Sequence, residues 1–80
     1  MELTAIIKKG EKQFVALCPE IDVVSQGYTI EEALSNLKEA VELYMEEMGI
    51  PEGIGSENIF VTNFEVKSDE VTSIIGDRSN

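Results

Sequence analysis

The stretch CPEIDVVSQGYTIEEALSNLKEAVELY, residues 18–44, decides the fold, because it joins a strand ended by proline, a glycine turn and a capped helix without a break. Pro19 has no backbone N–H and ends the strand that arrives at Cys18. Ile21 to Ser25 supplies a short third strand, and Gly27 is expected to provide a turn conformation. Thr29 is a good N-cap, and Glu32 three residues later completes a capping box that satisfies two otherwise unpaired donors. Ala33, Leu34, Leu37, Ala40, Val41, Tyr44, Met45 and Met48 then recur at three- and four-residue steps as one apolar stripe. Gly49 and Pro51 stop the helix.

Upstream, Glu2 to Lys9 is rich in β-formers, and Gln13 to Cys18 follows Lys9-Gly10-Glu11 closely enough to predict a hairpin. Downstream, residues 51–58 with Gly53 and Gly55 connect back to the sheet, and Ile59 to Lys67 alternates as a final strand. The predicted order is βββαβ, an α+β fold in which one helix packs on one face of an antiparallel sheet. Residues 1–67 form the domain. Residues 68–80, with Val71, Ile74 and Ile75 in a polar setting, read as a C-terminal tail or a short docking segment.

Strand alternation puts Leu3, Ala5 and Ile7 on one face of the first strand and Thr4, Ile6 and Lys8 on the other. The second strand divides into Phe14, Ala16 and Cys18 against Val15 and Leu17, and the last into Phe60, Phe64 and Val66 against Ile59 and Val61. One helix covers one face, so Ile6, Val15, Leu17, Ile59 and Val61 predict an interface on the other, with a second copy, a partner protein or the C-terminal segment as its cover. A homo-oligomer is expected, since a chain of 80 residues builds a core of marginal size.

The net charge of −10, from 16 acidic and 6 basic residues, repels phosphate backbones and favours basic partners. Direct nucleic-acid binding is not expected. One cysteine cannot form an internal disulfide, and there is no leader-like N-terminus, which together predict a cytoplasmic location. No apolar run approaches the roughly 18 residues that would suggest a membrane span.

The sequence offers little for catalysis. Without histidine the usual neutral-pH base and common zinc ligand are missing, and Cys18 at a strand end reads as a buried structural thiol. Glu31-Glu32, Glu46-Glu47 and Asp69-Glu70 invite a Mg²⁺ reading, but adjacent helical residues point about 100° apart and do not converge. The glycines form no nucleotide-binding fingerprint. Neither enzymatic activity nor a cofactor is expected.

Ser25-Gln26-Gly27-Tyr28-Thr29, followed by Glu31-Glu32-Ala33-Leu34 and Asn36-Leu37-Lys38-Glu39-Ala40, resembles the signature of HicB-like antitoxins, over about residues 2–67. The resemblance implies a partial ribonuclease H-like domain that binds and occludes a small basic HicA-like ribonuclease toxin. Many full-length members add a C-terminal DNA-binding domain, and the thirteen residues after Lys67 are too few for one, so operator binding is not expected. The alternatives are an orphan self-associating scaffold and a Mg²⁺-dependent nuclease relying on Glu39 or Glu65. The motif transfers no contact residues. Glu20, Asp22, Tyr28 and Glu31 are chosen as the partner-binding site because they are expected to flank one end of the sheet, offering acid and aromatic groups to a basic protein. Tyr28 reads either as such a contact or as a staple on Ala33.

Overall fold

The computed structural model describes residues 1–67 and shows a three-stranded antiparallel sheet followed by one helix. Strand β1 is Ile6–Lys9, β2 is Phe14–Cys18, β3 is Val23–Gly27, and helix α1 is Ile30–Met48. The sheet order is β1-β2-β3, so β1 and β3 are both edges. The proposed division at residue 67 and the reading of residues 68–80 lie outside the described residues.

The first strand starts at Ile6 rather than Glu2, and the register explains why. Ile6 pairs with Leu17, which sets Thr4 opposite Pro19, a residue with no N–H to return to the Thr4 carbonyl, so the ladder stops short of it. The Thr4 N–H goes to the Glu20 carboxylate, at 3.1 Å to each oxygen. The hairpin between β1 and β2 closes with Gly10 N donating to Gln13 O at 2.7 Å.

Gly27 was expected to supply a turn, but it is the last residue of β3, and the positive-φ glycines are Gly49, Gly53 and Gly55. Its role is close approach: a Cβ there would stand 2.6 Å from Ala33 N and 2.9 Å from Glu32 Cβ. Thr29 caps the helix as predicted, its hydroxyl accepting from Glu32 N at 3.0 Å, while the Glu32 carboxylate takes the Tyr28 N–H one residue before the cap. Asn36 ties the helix to β3 by donating from Nδ2 to Gln26 O at 2.8 Å.

The core comprises Ala16 and Cys18 from the sheet and Ala33, Leu37 and Val41 from the helix, with Ile7, Phe14, Val23 and Met45 packed around them. The helix lies over β3 and β2 and scarcely touches β1. The predicted apolar stripe is therefore wider than its support: Leu34 and Met48 remain exposed.

Residues 59–67, predicted to close the sheet, form no strand in the structure. Alternation gives a segment two faces, but a strand also requires a neighbour's N–H and C=O groups. Among the described residues this segment makes no hydrogen bond. Ile59 and Val61 consequently do not join Ile6, Val15 and Leu17 on the sheet, and Phe60 and Phe64 are each 86% exposed.

Candidate functional site

Three surfaces carry the groups singled out in the sequence. The first is the helix-free face of the sheet. Pairing sets Ile6 beside Leu17 and Leu17 beside Val24, giving an aliphatic row across all three strands. Val15 lies on the same face between Lys8 and Gln26. Ile6, Val15 and Leu17 are half-buried by their neighbours, and Val24 is exposed. Val24 was overlooked in the sequence although it stands at the alternating position after Val23; register alone reveals its place in the row.

The four residues chosen for partner binding do not share one end of the sheet. Glu20 and Asp22 lie in the β2–β3 turn, Tyr28 and Glu31 at the start of α1, and the length of β3 separates the pairs by roughly 17 Å at about 3.3 Å per residue. Asp22 is exposed at φ 57°, a left-handed turn position that aspartate tolerates better than most residues. Tyr28 is 70% exposed, which favours a contact residue over a staple packed on Ala33.

Glu20 has a structural task that the sequence did not disclose. Besides the Thr4 N–H, it accepts the Thr4 hydroxyl at 2.7 Å and the Cys18 thiol at 3.4 Å. Desolvation pushes its carboxyl up, but the hydrogen bonds from Thr4 outweigh this and hold its pKa below the ordinary carboxylate value. Burial, then the neighbouring Glu20, pushes the Cys18 thiol up, consistent with a packed structural cysteine rather than a nucleophile. Glu20 is thus occupied in tying down the N-terminal segment.

The second surface is the outer side of α1. Glu31, Glu32, Glu39, Glu42, Glu46 and Glu47 are all exposed, with Lys38 as the single basic residue of the helix. Glu32, Glu39 and Glu46 recur every seven residues and lie opposite Ala33, Leu37 and Val41. Of these six glutamates only Glu31 is among the four residues that the sequence marks for partner binding.

The third surface is an open groove of about 330 Å³ between the segment preceding β1 and the overhanging flank of α1. Leu3, Ala5, Cys18, Leu37, Val41 and Met45 line it, with Lys38 and Glu42 along the helix side. Among the described residues, no three His, Cys, Asp or Glu side chains are grouped so as to hold a metal ion, and no helix is long and apolar enough to cross a membrane.

A UPF0150 protein from Synechocystis sp. is 41% identical over 68 residues, covering 75% of this chain and 94% of that relative. The chain belongs to the UPF0150 family. A second UPF0150 protein, from Helicobacter pylori strain J99, is 48% identical over 46 residues, 56% of this chain and 64% of the relative, so the match spans less than two thirds of that protein. No protein-family model and no solved structure matches the chain. Neither UPF0150 relative has a name that states an activity.

Proposed function

We propose that this UPF0150 chain is a HicB-like antitoxin module that binds a small basic HicA-like ribonuclease and covers its RNA-binding surface. The observation that carries the reading is the exposed carboxylate stripe of α1, with six glutamates against one lysine on a rigid helix. Such a stripe imitates the charge of an RNA backbone, steers a basic protein toward it and occupies the place of the substrate. The resemblance of residues 25–40 to HicB-like antitoxins and the net charge of −10 support the same reading. Occlusion requires no catalytic group on this chain. The protein acts in the cytoplasm, where its toxin would cleave RNA.

The sheet row Ile6, Leu17 and Val24 favours a second reading, a self-associating scaffold without a toxin. The test is recovery of a stoichiometric small basic ribonuclease with the tagged chain, followed by an RNA-cleavage assay. Suppression of cleavage at equimolar chain, and loss of suppression with Glu39→Lys, Glu42→Lys and Glu46→Lys combined, are expected. A recovered ribonuclease that remains active at excess chain would overturn the antitoxin reading, as would a chain that recovers only itself.

A further inference from the structure

Residues 59–67 carry a strand pattern without a strand's surroundings. Phe60, Thr62, Phe64 and Val66 share one face, and the other passes from Ile59 and Val61 to Asn63, Glu65 and Lys67. Phe60 and Phe64 are 86% exposed, Val61 72% and Val66 63%, a run of apolar surface that monomers rarely present to water.

The fold also lacks what this segment would provide. Among the described residues the outer edge of β1 is unpaired, and the groove lined by Leu3, Thr4 and Ala5 just before β1 opens under Leu34 and Met45 of the helix. A strand laid along that edge and its continuation through residues 3–5 would direct one face into the groove and the other toward the helix-free side. The pattern of residues 59–67 meets both requirements, with its aromatic face suited to the groove.

We propose that residues 59–67 form a fourth strand on the β1 edge of a second copy of this chain, with Phe60 and Phe64 filling the second copy's groove in reciprocal exchange. Gly55 lies 3.6 Å, measured from a Cβ built on it, from Glu2 O and from Met1 Cγ, so the chain reaches the mouth of its own groove. Past that point the apolar side chains of residues 59–67 remain in solvent, and among the described residues none after Met45 lines the groove. Two copies related by a twofold axis would fill both grooves with one kind of contact.

Electrostatics favours this pairing over others between two chains of net charge −10. The arm is neutral, carrying Glu65 and Lys67, and β1 bears Lys8 and Lys9. Contact is thus made where like-charge repulsion is least. The inference is independent of the antitoxin reading and concerns a different surface from the carboxylate stripe.

The test measures the mass of the full chain by sedimentation and then maps the contact. A dimer is expected, and Phe60→Asp with Phe64→Asp should weaken it by at least about 100-fold while the helical circular dichroism is retained. On a Cys18→Ala background, Ile6→Cys with Val61→Cys should be bridged between two chains by a short bismaleimide. This second variant keeps both phenylalanines and guards against a simple folding failure. A monomeric chain, a dimer indifferent to the Phe60 and Phe64 changes, or a bridge confined within one chain would each overturn the exchange.

Discussion

Residues 14–18 and residues 59–67 are both alternating apolar segments, and the structure treats them differently. β2 has a neighbour on each side and a helix above, so Ala16 and Cys18 are buried almost completely. The later segment has the stronger aromatic face but no neighbour among the described residues, and it lies open to solvent. Alternation specifies which side chains face together; the available edge and cover determine whether they become a core.

The sharpest way to break this comparison is to truncate one large side chain in each region. Leu37→Ala, beneath the helix and over β2, should cost about 2–5 kcal/mol in urea denaturation. Phe64→Ala, measured in chain dilute enough to be monomeric, should change stability by no more than about 0.5 kcal/mol, since it removes no packed contact. Equal losses would show that the arm packs in the monomer. Gly27→Ala comes next, at about 1–3 kcal/mol, because its Cβ would collide with the backbone of α1 where β3 passes beneath it. Thr29→Ala should cost about 1 kcal/mol by freeing the Glu32 N–H, detectable as a lowered thermal midpoint.

The smallest effect separates the tied N-terminal segment from the untied arm through pH. Glu20 has a folded pKa below its unfolded value, so the unfolded chain binds more protons across that interval and stability rises with pH there. The contribution is present above the ordinary carboxylate value and lost as pH falls through the folded one. Urea midpoints measured through the acid range should show this slope in the native chain and a reduced slope in Glu20→Gln. Identical slopes would remove Glu20 from the account.

The local devices were legible in the sequence, because the capping box, the helix stop at Gly49 and the hairpin at Gly10 depend on residues a few positions apart. Gly27 was legible as a necessary glycine, but its reason lies in the approach of a strand to a helix turn that sequence spacing does not display. Glu20 binds a residue sixteen positions away, so nothing nearby marked it as occupied. The proposed four-residue site failed as a cluster because β3 runs between its halves. The acidic stripe is legible in the sequence only as adjacent glutamate pairs that do not converge; its place opposite Ala33, Leu37 and Val41 follows from the side the helix buries.

Cys18, the one thiol of the chain, is 1% exposed at the floor of the groove. Its reaction with a disulfide reagent is therefore a built-in clock for the opening of the helix–sheet seam, readable in unmodified protein.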